Sequence, residues 1–155
     1  MDANQLCELV IAPTLDTIEL NSDVAVNLLV GTVFQESGGG EYLKQLGGGP
    51  ALGIYQIEPN THTDVWENYL DYRASLTSKV EKLLSPEDKE QQLISNLSYA
   101  TAIARIIYYR KPQALPSDAN DVQALGEYWK EHYNTVAGAG TVEDFVRNFP
   151  TSVLS

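Results

Sequence analysis

The sequence predicts a mainly α-helical protein folded as one domain over residues 1–155. Apolar residues recur at the i, i+3, i+4, i+7 spacing of a helix along almost the whole chain, and capping and stopping residues bracket the periodic segments. Size agrees with this. With 43% hydrophobic and 20% charged residues, 155 residues can bury one self-supporting core and are not charge-dense enough for disorder.

A short segment around Leu6, Leu9 and Val10 has helical period, and Pro13 is expected to interrupt it, since proline lacks an N–H and clashes with the preceding turn. The second helix is better marked. Asn21 or Ser22 can cap it, Asp23 suits its first turn, and Val24, Leu28, the Val30/Gly31 turn and Phe34 carry the period to Glu36. Gly38–Gly40 end it, because glycine takes the left-handed C-cap conformation without penalty. Residues 41–58 have no useful helical period and read as a small loop or β-hairpin region inside the domain. Thr61 and Asp64 have the spacing of a capping-box variant ahead of Trp66, Tyr69, Leu70 and Arg73. Ser85-Pro86-Glu87-Asp88 supplies an N-cap, a first-turn proline and two acids, and the stripe Leu93, Leu97, Ala100, Ala104, Ile107 predicts a long central helix that Pro112 stops. Two more helices are expected, one through Val122, Leu125, Trp129 and His132, the other opened by Thr141 and Asp144 before Phe145 and Phe149.

Composition excludes several functions. The net charge of −11, with only ten Lys and Arg, argues against a nucleic-acid partner. Cys7 is the single cysteine and cannot form an internal disulfide; Leu6 and Leu9 beside it suggest a small core residue. The N-terminal MDANQLCELVIAPT lacks a basic n-region and a bilayer-length apolar run, so the expectation is synthesis in the cytoplasm without a signal peptide, and no membrane insertion. The glycine clusters match neither G-x-G-x-x-G nor a P-loop. His62 and His132 lack ligand spacing and G-x-S-x-G is absent, so the sequence assigns no metal, no cofactor and no nucleophilic serine.

Carboxylate chemistry remains. In VFQESGGG, Glu36 sits at the C-terminal end of an apolar helix, where burial and the negative end of the helix dipole both penalise its charged form. A carboxyl that keeps its proton near neutral pH is what glycosidic-bond cleavage requires of its general acid.

Three motifs then line up. Glu36-Ser37, the stretch Gly53-Ile54-Tyr55-Gln56-Ile57 followed by Pro59 and Thr61, and Tyr133-Asn134 with a trailing Gly138 and Gly140, together resemble the ordered motifs of soluble lytic transglycosylases and related phage lysozymes. Those motifs read E-S, G-L-M-Q-I-x-P-x-T and Y-N-x-G; Asn96-Leu97, leading into a long helix, is similar to the family's asparagine-containing helix. The resemblance covers roughly residues 22 to 141 and rests on order and spacing together.

The resemblance implies a lysozyme-like fold with a saccharide cleft, cutting the β-1,4 bond between N-acetylmuramic acid and N-acetylglucosamine in peptidoglycan glycan strands. Carried over, Glu36 would be the general acid, and in a transglycosylase also the base that lets the muramoyl 6-hydroxyl close an anhydro ring. Ser37 would orient Glu36 or touch substrate. Gln56 would bind glycan with the backbone of Ile54 and Tyr55 lining the cleft, Tyr133 would lie near Glu36 and fix its geometry, and Asn134 would brace the loop. The expected setting is the bacterial cell wall, reached as a component of a phage particle or as an endolysin released by a holin.

The chain also departs from the pattern. His132 replaces the usual small residue before Tyr-Asn, and Thr135-Val136-Ala137 lengthen the loop before Gly138. Glu58, at the variable position before Pro59, would be the second carboxylate of a hydrolytic muramidase, with Glu41 and Asp64 as lesser candidates. Plainer readings stand beside these: Gln56 as a loop-capping amide, Tyr133, Trp66 and Tyr69 as core, and the whole chain as a non-catalytic lysozyme-like module of a virion or secretion assembly.

Overall fold

A computed structural model describes residues 1–134 and 139–155. The described chain is mainly helical, and its buried apolar residues form one cluster running from Ala3 to Phe149. No helix among the described residues is long and apolar enough to cross a membrane.

The N-terminal helix passes through Pro13 instead of stopping there. Helix α1 (Ala3–Leu6) continues into a π-helical turn (Cys7–Ile11) and then α2 (Ala12–Thr17), with the Ala12 N–H bonded to the Cys7 carbonyl. The wider π turn makes room for the proline ring and leaves its missing N–H without consequence, which corrects the expected interruption. Helix α3 (Asp23–Ser37) starts at Ser22, whose hydroxyl accepts from the Ala25 N–H at 3.1 Å, and ends at Gly38 in the left-handed region. Its residues from Asn27 to Val33 are all buried, so it is enclosed by its neighbours.

The expected loop or hairpin at 41–58 contains a 3₁₀ turn at Leu46–Gly48 and two isolated antiparallel bridges, Lys44 with Leu52 and Leu52 with Ile57. Helix α4 (Pro59–Asn68) begins at Pro59, two residues before the expected Thr61, because proline's fixed φ suits a first helical position. The Thr61/Asp64 capping box is absent. Asp64 instead accepts from Asn68 Nδ2 and Arg110 Nη1, both at 2.6 Å. The helical period through Tyr69 to Arg73 breaks at Tyr69, after which come a 3₁₀ turn (Leu70–Tyr72) and an unforeseen helix, α5 (Ala74–Glu81).

The long helix expected from Ser85 is shorter and divided. Gln92 takes the Ser85 N–H on its side-chain oxygen and donates its amide to the carbonyls of Ser85 and Glu87, wrapping 85–87 into a turn. Helix α6 (Gln92–Ser95) follows, and Asn96 then leaves helical geometry to cap α7 (Leu97–Tyr109), accepting from the Tyr99 N–H at 3.0 Å. Helix α7 is central: every residue from Tyr99 to Tyr108 is buried. Helix α8 (Val122–His132) is capped by Asp121, and α9 (Val142–Asn148) carries the expected capping box between Thr141 and Asp144. Phe145 of α9 and Phe149 just after it press onto Gly31 of α3, where a Cβ would lie 2.5 Å from Phe145 Cζ. Only glycine permits that approach.

Candidate active site

Glu36 lies on the last turn of α3, and its surroundings come from three other parts of the chain. The Trp129 indole Nε1 of α8 donates to Glu36 Oε2 at 3.0 Å. The Tyr42 hydroxyl donates to the Glu36 backbone carbonyl at 2.8 Å, satisfying a helix-end acceptor that has no partner within the helix. Burial pushes the Glu36 carboxyl up to about 7, and the Trp129 hydrogen bond partly opposes this by favouring the charged form. Trp129 is itself fully buried and stacks obliquely on Phe145 at 5.5 Å, so the glycine-seated aromatic ring of α9 helps hold the donor in place.

Glu36 opens onto a cleft of about 420 Å³ that Tyr42, Gln45, Gln56, Glu58 and Asn134 also line. Among the described residues no Lys or Arg lines it, and its polar wall is rich in amides. Such a wall suits an uncharged, hydroxyl-bearing ligand better than an anion. A cavity of about 470 Å³ elsewhere, lined by Glu19, Tyr69, Tyr72, Arg73, Lys79 and Tyr109, has different chemistry: its carboxylate, Glu19, is paired with Lys79 at 2.5 Å. The proton-holding carboxyl is in the smaller cleft.

Ser37 neither orients Glu36 nor faces a ligand. It is fully buried, donating to the Ile54 carbonyl at 2.7 Å and accepting from the Gly40 N–H at 3.0 Å, so it ties the end of α3 to the 53–57 turn. The side chain of Tyr55 is also in the core, its hydroxyl 2.8 Å from Thr101 Oγ1. Its carbonyl matters more, because the Tyr133 hydroxyl donates to it at 2.5 Å. Tyr133 feels the Glu36 charge and stacks on Tyr108 at 5.2 Å, yet its hydrogen bond braces the turn and not the carboxyl.

Gln56 stands in the left-handed region at φ 49°, uncommon for a residue with a Cβ, and its Nε2 donates to the Gly53 carbonyl at 2.9 Å. Its amide nitrogen therefore caps the turn, while the residue also lines the cleft. Glu58 is exposed on the same cleft, whereas Asp64 is committed to Arg110. Asn134 Oδ1 accepts from Lys130 Nζ at 3.0 Å, and Lys130 also donates to the Gly140 carbonyl at 2.6 Å, which links the two sides of the loop. Gly138, with Thr135, Val136 and Ala137, lies outside the described residues.

The sequence reading missed Trp129 and Tyr42. Trp129 falls on the apolar stripe of α8 and reads as core; the available signal was its indole N–H, which a buried tryptophan must place against an acceptor. Tyr42 carried no local signal. No protein-family model matches the chain, and neither does any curated protein or solved structure.

Proposed function

We propose that this chain is a peptidoglycan-cleaving enzyme with a lysozyme-like fold, acting on the β-1,4 bond between N-acetylmuramic acid and N-acetylglucosamine as a lytic transglycosylase. The observation that carries this reading is the Glu36 carboxyl, pushed up to about 7 by burial and held at one oxygen by Trp129, on an amide-lined cleft. With Oε2 accepting from the indole, the proton resides on Oε1. Glu36 donates it to the glycosidic oxygen as the bond to the anomeric carbon breaks, and the muramoyl ring takes on oxocarbenium character. The carboxylate left behind then accepts the proton of the muramoyl 6-hydroxyl while that oxygen bonds to the anomeric carbon, giving a 1,6-anhydro end. Gln56 and Asn134 line the path of the glycan. Ser37, Tyr133 and the Tyr55 carbonyl hold the turn that carries Gln56 against the end of α3.

A hydrolytic muramidase is the second reading, favoured by Glu58 on the same cleft. There Glu58 would activate water or stabilise the cation. The setting consistent with either chemistry is the bacterial wall, attacked from a phage particle or by a released endolysin.

Glu36→Gln keeps the shape and removes the proton donor, so clearing of purified peptidoglycan should stop while the variant remains folded. Undiminished clearing by the variant would overturn the assignment of Glu36, and a parent that binds peptidoglycan without clearing it would mark a non-catalytic glycan-binding module. Mass spectrometry of the parent's products separates the chemistries: anhydromuramoyl ends mark a transglycosylase, and reducing ends that disappear in Glu58→Gln mark a hydrolase.

A further inference from the structure

The Arg105 guanidinium faces a second cavity without a carboxylate partner. Arg105 is the one charged residue in the buried run Tyr99–Tyr108 of α7 and is 7% exposed. Its Nε donates to the Leu20 carbonyl at 3.1 Å, and its Cζ lies 5.4 Å from the centre of the Tyr109 ring. The Nε bond ties α7 to the turn after α2 and accounts for one donor of five. Among the described residues no acid pairs with Arg105, and its two Nη nitrogens make no hydrogen bond. Buried charges are ordinarily paired, and a chain with 21 acids to 10 bases has carboxylates to spare.

The cavity is about 270 Å³ and is lined by Arg105, Tyr108, Tyr109, Lys111, Gln113 and Tyr128 among others. It shares no lining residue with the Glu36 cleft. Lys111 is a second cation there, near enough to Asp64 to favour its charged form but not paired with it, and among the described residues no acid lines the wall. Two of the three lining tyrosine hydroxyls are engaged, Tyr128 donating to the Gln113 carbonyl at 2.9 Å and Tyr108 bonded to Thr32 at 2.8 Å, which leaves the Tyr109 hydroxyl. Two cations therefore line a small space whose remaining wall is three tyrosines with Pro112, Gln113, Ala114 and Leu115.

We propose that this cavity is a binding site for the carboxylate group of a small organic acid, separate from the Glu36 cleft. The planar guanidinium presents parallel N–H groups that match a carboxylate's two oxygens, and Lys111 adds a point charge from the side. Tyrosine faces accept the carbon attached to the carboxylate. A carboxylate meets this fork with both of its oxygens, whereas a phosphate's further oxygens would have only the Tyr109 hydroxyl and the Gln113 amide left to meet them.

The test titrates the isotopically labelled full chain with sodium acetate, sodium phosphate and sodium chloride at constant ionic strength, following the Arg105 Nε–Hε resonance by NMR. Acetate should give a saturable shift with a dissociation constant on the order of 10 mM, chloride and phosphate none. In Lys111→Gln, which leaves the Leu20 bond intact, acetate affinity should fall about threefold or more. In Arg105→Lys, which keeps the charge but not the fork, acetate should no longer raise the melting temperature; should that variant fail to fold, the resonance titrations decide. An equal shift with chloride, saturation by phosphate without acetate, or unchanged affinity in Lys111→Gln would each overturn the assignment.

Discussion

Trp129 Nε1 donates to Glu36 Oε2 at 3.0 Å across 93 positions of sequence, joining the last turn of α3 to the buried face of α8. The bond favours ionised Glu36 while burial favours the protonated form, and burial prevails. Trp129→Phe removes the donor along with part of a fully buried ring, and loss of the bond that favoured the charged form should move the Glu36 carboxyl above about 7. In wall-clearing assays the alkaline limb of the pH profile should shift upward, with maximal activity lower by roughly tenfold as the carboxyl loses its orientation. Carboxyl-carbon NMR of Glu36 reads the titration directly.

Glu36 also makes stability depend on pH. Its folded value, about 7, lies above its unfolded value of 4.5, so between them the folded chain binds the proton that the unfolded chain has released. Stability from this group is intact below the unfolded value and is lost as pH rises through the folded one. Glu36→Gln removes that loss. Urea unfolding at pH 8 should find the variant more stable by on the order of 2 kcal/mol, discounted for partial exposure, with the gap closing by about pH 4.

Tyr133→Phe leaves the Tyr55 carbonyl without its donor inside the core. A loss of about 1–3 kcal/mol is expected in urea unfolding. Hydrogen exchange at the Gln56 and Ile57 amides, which bond back to Gly53 and Leu52, should accelerate more than exchange in α7.

Gly53 is the tightest point of the turn. Its φ is +78°, and a Cβ there would stand 1.9 Å from the Leu93 backbone oxygen, which no rotamer change can relieve. Gly53→Ala should cost upwards of about 4 kcal/mol, whereas Gly47→Ala, with a similar φ of +81° but open space around it, should cost about 1 kcal/mol. Melting temperatures of the two variants make the comparison.

The features legible in the sequence act over short spans. Ser22 capping α3, Gly38 ending it and the Thr141–Asp144 box opening α9 are all bonds made within a turn. The same reasoning went astray wherever a distant side chain intervened. Gln92 drew Ser85–Glu87 into a turn despite their helix-start chemistry, and Arg110 engaged the Asp64 expected to cap α4. Helix α5 escaped notice because Arg73 offers it no side-chain cap and Leu76 and Val80 are too few to show a period.

The sequence by itself determined the helical class, the boundaries of α3, the start of α9 and the position of Glu36 at the glycine-capped end of an apolar helix. Tertiary structure alone decided what that carboxyl experiences and what its neighbours do. Ser37 and Tyr133 turned out to pin the 53–57 turn from the flanks, and Trp129 became the partner of Glu36. The reason is one of range: capping bonds reach three or four residues along the chain, whereas desolvation and a buried hydrogen bond depend on whichever atoms the packed core brings alongside.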